Sequence, residues 1–416
     1  MTASPRLHRE TIPVDELMAE AIDAYKEPGP FPTHRLERIP FWKKLWNERR
    51  LKKLLDQLLT DIEPYLPEIR RHMDDPSLIS ASTKAKVRTL VTKALQTVDE
   101  KQLLFARPFL THFIDQGYMD AAETFVFKAK QEDPDLTNEE VFQALRNVWI
   151  MNSLQLCFGQ PLTLTPPMYA YSFLYPYTDN LIDDPERDME TKQSFNRSLE
   201  KVLAGETVAS RTATERRIFE LVLQIKAVYS YEKYPQVTES IQLIHQAQIK
   251  SLAQSSESKL SRDAIMAISF LKGGTSVLAD AYLIKGNLTK AERMFAFHYG
   301  AFLQLLDDLQ DSETDKKEHN QTLFSIEHTK KAADEEISRL LTYIFAVNTK
   351  TDSDSPSMRL MKDVISQCTL LMVMEAVGKK PKLITSAFYK ELEAYARVRL
   401  TFYEKLESKL NTFMKN

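Results

Sequence analysis

Two short acidic segments carry the side chains best suited to hold a metal. In the first, Asp179, Asn180, Asp183 and Asp184 stand between positions 179 and 184. Residues four apart on a helix are separated by about 6 Å along its axis and lie on nearly the same face. A helical segment here would therefore pair Asp179 with Asp183, and Asn180 with Asp184 beside them.

The second acidic segment is longer. Asp307, Asp311 and Asp315 recur every four residues, with Asp308 beside the first of them. Two like charges about 4 Å apart repel by about 1 kcal/mol in water and by about 4 kcal/mol near a protein surface. A divalent cation reverses the sign of that interaction, and Mg²⁺ prefers carboxylate, phosphate and water oxygens. Two such acidic helix faces across a cleft could hold several Mg²⁺ ions around one diphosphate.

A solvated helix face is the ordinary explanation of an acidic cluster. Here, however, each cluster follows an apolar stretch: MYAYSFLYPY at 168–177 and FAFHYGAFLQLL at 295–306. Acidic faces that meet only solvent are rarely preceded by such stretches. The combination favours a metal site beside an apolar pocket over two solvated faces.

These motifs resemble those of a known enzyme superfamily. The segment 304–311, QLLDDLQD, resembles the second aspartate-rich motif of trans-isoprenyl diphosphate synthases, and with Asp315 it resembles the metal-binding triad of terpene cyclases. The segment 179–184, DNLIDD, resembles the first motif, with Asn at the second of three usual acidic positions. Its spacing is also similar to that of squalene and phytoene synthases, and its wording to the bacterial tetraprenyl-β-curcumene synthase type.

The resemblance implies a class I isoprenoid synthase bundle in which three Mg²⁺ ions bridge the acidic helices to a prenyl diphosphate. Asp179 and Asp183 would be ligands of the first motif, with Asn180 and Asp184 adjacent. The ligands implied for the second motif are Asp307, Asp308, Asp311 and Asp315.

A leaving diphosphate also needs fixed positive charge. Lys272 resembles a lysine that contacts the diphosphate in prenyltransferases, and Gly273-Gly274 follow it. Two glycines within a helix indicate a kink or a close approach of substrate, or alternatively a helix-packing notch or a helix break. Further candidates for substrate binding, each of which could equally be a surface residue, are Gln304, Lys316, Lys317, Arg187, Arg262, Arg397 and Tyr403.

Aromatic residues precede the first motif at helical spacing. Tyr175 and Tyr171 stand one and two turns before Asp179, although Pro176 must kink or start that helix. An aromatic wall there would stabilise a carbocation by cation–π attraction. Ordinary core packing is the alternative, and the other possible lining residues are Tyr169, Phe173 and Tyr177.

The rest of the chain predicts a helical framework to hold these residues. Only 9 of 416 residues are glycine, and no strand-like alternation of useful length occurs. Residues 1–40, rich in proline, predict an irregular lead-in. Helical periodicity follows over 84–97, 101–116, 118–131, 138–157, 190–204, 212–231, 236–256, 262–284, 289–313, 322–347, 357–377 and 384–413. The expected fold is all-α, with N-terminal accessory helices within 1–135 and the isoprenoid synthase-like bundle in 136–416.

Charge and cysteine content exclude other classes. A formal net charge of −3 gives no global basic field for nucleic acid. Cys157 and Cys368 lack metal or redox spacing and fit helix cores in a reducing compartment. Without an apolar leader, the chain is expected to be cytoplasmic. The basic amphipathic segment from Phe41 to Leu59 predicts either a core-docking helix or peripheral contact with a membrane.

The leading hypothesis is a terpene synthase that ionises a C15–C25 prenyl diphosphate and cyclises or rearranges the cation. A prenyltransferase for chain elongation or head-to-head coupling is the close alternative. However, the glycine- and arginine-containing element for isopentenyl diphosphate is missing, as are the paired arginines after the first motif and the arginine-rich segment of squalene-type enzymes. A non-catalytic helical scaffold is the third reading. A homodimer is common among such relatives, but the residues do not fix the oligomeric state.

Overall fold

The protein is helical wherever its structure is described. The computed structural model describes residues 11–27, 29, 35–72, 75–184, 187–256, 258–326 and 329–415, without the side chains of 77, 183, 411 and 413–415. The α-helices in chain order are α1 Val14–Lys26, α2 Phe41–Ile62, α3 Leu66–Arg71, α4 Ala81–Glu100, α5 Phe109–Asp115, α6 Tyr118–Glu132, α7 Asn138–Cys157, α8 Pro166–Asp183, α9 Met189–Ala204, α10 Ala213–Val228, α11 Pro235–Ser251, α12 Arg262–Lys285, α13 Lys290–Lys317, α14 Lys330–Val347, α15 Pro356–Lys379, α16 Ser386–Tyr395 and α17 Thr401–Lys415. Short 3₁₀ turns occur at Glu63–Tyr65, Pro76–Leu78 and Leu252–Ser255. No strand occurs in these ranges, which confirms the all-α prediction.

One helix lies where an irregular lead-in was expected, so that expectation is wrong for part of residues 1–40. Helix α1 occupies the stretch between Pro13 and Pro28. Its apolar residues Leu17, Ala21 and Tyr25 recur every fourth position and are buried. The density of prolines therefore marks the ends of a short helix and not an absence of structure.

The C-terminal periodicity over 384–413 does not produce one helix. Helices α16 and α17 are separated by residues 396–400, where tertiary contacts occupy the backbone. The backbone N–H of Arg399 donates to Glu48 Oε1 at 2.8 Å, and that of Leu400 donates to Glu393 Oε2 at 3.1 Å. The predicted segments 101–116 and 322–347 are likewise shorter in the structure, as α5 and α14.

The chain divides into two compact units. Unit 1 comprises residues 1–24 and 165–304, and unit 2 comprises 25–164 and 305–416. In unit 1, α11 packs against α12 and α10 against α8; in unit 2, α7 and α17 pack against α15. This partition differs from the predicted division at residue 135, which stays a prediction about sequence regions. The first acidic motif belongs to unit 1, and the second belongs to unit 2.

One helix, α12, is long and apolar enough by composition to cross a bilayer, with a mean hydropathy of 1.2 over its most apolar window. Two observations favour a core helix instead. Two thirds of that window, 67%, is buried inside the protein. The helix also carries Lys272 and Asp280 within its length, and Asp280 is fully buried.

Candidate functional site

The first motif lies at the C-terminal end of α8. The side chain of Thr165 caps the start of this helix by accepting from the Met168 N–H, and prolines occupy its first two positions. Pro176 lies inside the helix and neither starts nor ends it. Because α8 is continuous, Tyr171, Tyr175 and Asp179 lie along one side of it, as their spacing predicted.

Asp179 is in contact with Lys272, the predicted diphosphate-binding lysine. The Lys272 ammonium nitrogen lies 3.1 Å from Asp179 Oδ1 and 3.4 Å from Oδ2. The two side chains are only 15% and 21% exposed, so water screens this pair less than it screens a surface ion pair. The structure thus brings together a candidate metal ligand of α8 and a candidate phosphate ligand of α12.

Gln248 on α11, which the sequence gave no reason to select, completes this contact. Its side-chain N–H donates to Asp179 Oδ1 at 3.2 Å and to the Tyr175 carbonyl at 3.3 Å. Its amide oxygen lies 3.2 Å from the Thr178 hydroxyl, which can donate to it. These three contacts fix the direction of the amide, so that one carboxylate oxygen of Asp179 receives both an ammonium and an amide donor.

The remaining residues of the first motif are arranged differently. Asp184 accepts from Arg187 at 2.9 Å, and both side chains are about one-third exposed, at 32% and 34%. Asn180 is exposed. The side chain of Asp183 lies outside the described part of the chain. A predicted ligand and a predicted diphosphate contact, Asp184 and Arg187, are therefore partners of each other.

The two predicted lining tyrosines differ in exposure. Tyr171 is 1% exposed, and its hydroxyl donates to the Ser276 carbonyl of α12 at 3.4 Å. Burial raises the pKa of Tyr171 well above its usual range, so the hydroxyl stays protonated. Tyr175 is half-buried, with its ring centroid 6.2 Å from that of Tyr171. Tyr171 therefore packs α8 onto α12, and Tyr175 remains the more accessible aromatic surface next to Asp179.

The glycine pair after Lys272 is a helix-packing notch. Helix α12 runs without a break through Gly273 and Gly274. A Cβ atom on Gly273 would overlap the carbonyl oxygen of Gly300 on α13, and one on Gly274 would lie 2.6 Å from Phe297 Cε1. Of the alternatives left open by the sequence, the structure supports the notch, which lets α12 and α13 approach closely.

Gln304 and Arg262, both predicted to bind substrate, lie at different distances from Lys272. The Cβ atom of Gln304 lies 2.5 Å from the position that a Cβ on Gly273 would take, so Gln304 packs one residue along α12 from Lys272. Arg262 begins α12, ten residues before Lys272, which is about 15 Å of helix rise. The structure therefore brings Gln304, and not Arg262, to the Lys272 region of α12.

The second motif occupies the C-terminal half of α13, in unit 2. Asp307 is 50% exposed and lies 3.8 Å from the guanidinium of Arg146 on α7. Asp311, one turn further, is exposed, whereas Asp308 is buried at 4%. The accessible carboxylates of this motif are thus Asp307 and Asp311, with one arginine nearby.

Asp315, the third member of the acidic line, holds the segment that follows α13. It is 9% exposed and accepts from Asn320 Nδ2 at 3.0 Å and from Thr322 Oγ1 at 3.2 Å. Burial raises the pKa of Asp315, and the two hydrogen bonds oppose that change. Lys316 and Lys317 are exposed at the end of the helix. Both carboxylate oxygens of Asp315 are therefore used within the fold, which disfavours a role as metal ligand.

A second lysine that sequence reasoning missed lies against α13. The Lys380 ammonium donates to the carbonyls of Leu309, at 3.2 Å, and Gln310, and to Ser312 Oγ at 3.0 Å. Burial lowers the pKa of Lys380, while the nearby acidic side chains, first Glu313 and then Asp311, favour its charged form. Lys380 thus supplies positive charge beside the second motif.

The C-terminal candidates Arg397 and Tyr403 are buried in unit 2. Arg397 donates to the Gln102 carbonyl at 2.9 Å and to Glu37 at 3.1 Å, and burial lowers its pKa. Burial raises the pKa of the Tyr403 hydroxyl. Both residues line a cavity of about 530 Å³ whose lining contains none of the second-motif residues. Arg397 is thus bound to protein groups, and its predicted contact with a diphosphate stays a prediction.

The oxygen donors present suit Mg²⁺ better than a softer metal. Among the residues that the structure describes, no three His, Cys, Asp or Glu side chains come together as a ready metal site. Mg²⁺, however, is usually bound by one or two carboxylates together with substrate phosphates and waters. Asp179 in unit 1, and Asp307 with Asp311 in unit 2, have accessible carboxylates of that kind.

Comparison with known proteins does not assign a family. No protein-family model matches the chain, and no curated protein is significantly similar to it in sequence. The chemistry therefore rests on the residues themselves. An acid held beside a lysine at the edge of an aromatic helix is an arrangement that can exchange its internal ion pair for a metal and a phosphate.

Proposed function

We propose that this chain is a class I terpene synthase, with the all-α bundle of that superfamily. It would use Mg²⁺ to ionise a C15–C25 prenyl diphosphate and then cyclise or rearrange the allylic cation with release of diphosphate. The observation that carries the proposal is the contact between Asp179 and Lys272, 3.1 Å apart. Metal-ligand and diphosphate-binding roles had been predicted for these residues independently, 93 positions apart.

The ion pair suits a resting state of such an enzyme. Without substrate, the Lys272 ammonium neutralises Asp179, which removes the cost of a partly buried carboxylate. When bound, Mg²⁺ would neutralise the diphosphate and stabilise it as a leaving group. Asp179 would then turn an oxygen to the metal, and Lys272 would donate to a phosphate oxygen, since its charge is no longer satisfied by the acid.

Other residues would act on the substrate without exchanging charge. Gln248 keeps a hydrogen bond to Asp179 in place and so limits the rotation of the carboxylate. Tyr175 presents an aromatic ring one turn before Asp179, where it can stabilise positive charge on the prenyl chain after ionisation. Asp307 and Asp311 would serve as the second set of Mg²⁺ ligands.

The decisive experiment measures diphosphate release from farnesyl, geranylgeranyl and geranylfarnesyl diphosphates, with Mg²⁺ and with EDTA. Asp179→Asn and Asp307→Asn should each lower turnover by at least about 10²-fold, the usual effect of removing an electrostatic catalytic contact. Asp188→Asn is the matched control, because Asp188 caps α9 close to the first motif and Asn caps a helix equally well. Full activity in either motif variant would reject the site.

Product mass separates the close alternative. Isopentenyl diphosphate added to the same reactions should leave the products of a terpene synthase unchanged. Products longer by one or more isoprene units would establish a prenyltransferase instead. Unchanged helical content of the variants by circular dichroism would assign any lost activity to the site and not to misfolding.

A further inference from the structure

The N-terminal part of α2 presents large aromatic side chains to solvent. Phe41 is 59% exposed, Trp42 is 68% exposed and Trp46 is 45% exposed. Trp42 and Trp46 are two of the three tryptophans in the chain. Single exposed apolar residues are ordinary, but three adjacent aromatic side chains form a patch that marks an interaction surface.

The opposite face of α2 already docks the helix onto unit 2. Buried Lys44 donates to the Glu393 carbonyl, and buried Glu48 receives the guanidinium of Arg399 at 2.6 Å. Leu51 is buried on the same face. Docking therefore explains the buried face and leaves the aromatic face without a structural role.

Basic residues continue the aromatic face along the helix. Arg50 lies one turn after Trp46 and stacks its guanidinium 3.3 Å from the centre of that ring. Arg49, Lys52 and Lys53 are exposed around and beyond it. The acidic residues of this stretch do not cancel these charges locally, because Glu48 is bound to Arg399.

We propose that this face of α2, defined by Phe41, Trp42, Trp46, Arg49, Arg50 and Lys53, binds the surface of an anionic lipid bilayer. Tryptophan side chains favour the headgroup level of a membrane, where the ring is partly apolar and its N–H meets water. Lysine and arginine on the same helix are attracted to anionic headgroups.

Charge complementarity selects a bilayer over other occupants. A second copy of the chain would place the same cations opposite each other, which is unfavourable. Nucleic acid binding requires a wider basic field than a chain of net charge −3 provides. The exposed rings, in contrast, gain most from an interface that is apolar on one side and wet on the other. This proposal does not rest on the proposed catalytic function.

Vesicle co-sedimentation of the full chain tests the proposal. The native protein should bind vesicles of equal parts phosphatidylcholine and phosphatidylglycerol, bind pure phosphatidylcholine weakly, and be released by high salt. Arg49→Gln/Lys53→Gln should weaken binding to the anionic vesicles by more than tenfold, since each cation near such a surface contributes about fivefold. Trp42→Ala/Trp46→Ala should reduce binding at least as much and abolish the blue shift of tryptophan fluorescence.

Phe142→Ala provides the matched control. Phe142 is 54% exposed, like the aromatic residues of α2, but it lies on α7 next to Glu139 and Glu140. This variant should bind vesicles as the native chain does. All the substituted side chains are largely exposed, so the thermal unfolding midpoint should stay at the native value in each variant.

Three results would overturn the proposal. The native chain could fail to bind anionic vesicles, or the tryptophan double variant could bind them as well as Phe142→Ala does. Light scattering could also reveal a native dimer that Trp42→Ala/Trp46→Ala dissociates, which would make a second copy the occupant. Diphosphate release from farnesyl diphosphate in vesicle-free buffer, measured on the same variants, keeps the test separate from that of catalysis.

Discussion

Replacing Gly273 with alanine tests whether the crossing of α12 and α13 positions Lys272. The new Cβ atom would overlap the Gly300 carbonyl oxygen and lie 2.5 Å from Gln304 Cβ. Carbon atoms in ordinary contact are about 3.5–4.0 Å apart. The helices would therefore have to separate locally by about 1 Å, because a backbone carbonyl within a helix cannot turn away.

The expected magnitude follows from two opposing effects. Overpacking a tight contact costs about 1–3 kcal/mol, and a backbone obstacle favours the upper end of that range. Alanine in place of glycine within a helix returns about 1 kcal/mol. Gly273→Ala should therefore lower the free energy of unfolding by about 2 kcal/mol, measured by urea denaturation followed by circular dichroism.

Gly300→Ala adds the second glycine of the same crossing. A Cβ there would overlap the Gly273 carbonyl oxygen and lie 2.9 Å from Val277 Cβ. Once one alanine has separated the helices, the second should cost less, so the double variant should be destabilised by less than the sum of the single effects. A gain of about 1 kcal/mol in Gly273→Ala, the helix-propensity effect alone, would refute the notch.

Three further predictions concern charge. Lys272→Met should lower kcat/KM for diphosphate release by about 10²- to 10³-fold, and adding Asp179→Asn should lower it by less than the product of the single effects. Burial lowers the pKa of His245 and of His298 to about 4, below the unfolded value of about 6.5. The unfolded state thus binds more protons as pH falls from 6.5 to 4, and between pH 7 and pH 5 each histidine should remove about 2 kcal/mol of stability; replacing either with Gln should flatten the pH dependence of the urea midpoint. Asp315→Ala should lower the thermal midpoint without changing the Mg²⁺ dependence of turnover, because its oxygens bind protein groups; a changed Mg²⁺ dependence would make it a ligand.

The parts of this protein that depend on neighbouring residues were predictable from sequence. Helix α7 has the predicted bounds, 138–157, because Thr137 and Glu140 form a reciprocal cap before an amphipathic run. The alignment of Tyr171 and Tyr175 with Asp179 also followed from spacing alone. Each of these features is decided within a few turns of one helix.

Contacts between distant segments were not predictable in the same way. Gln248 reaches Asp179 across 69 positions, and Lys380 reaches Leu309 across 71. Neither residue stands in a distinctive local pattern, so only the packed structure reveals it. Lys272 was found because it resembles a known motif, although its contact with Asp179 spans 93 positions.

The acidic line of α13 shows where helical periodicity stops being informative. Asp307, Asp311 and Asp315 have equal spacing, but only the last is buried, because Asn320 and Thr322 return to its carboxylate. Periodicity fixes the side of the helix that a residue occupies, whereas the following segment decides what stands opposite it. Two accessible carboxylates remain, which is the number that Mg²⁺ commonly takes from a protein when phosphate oxygens complete its coordination. The loss of Asp315 from the ligand set therefore leaves the proposed chemistry of the second motif intact.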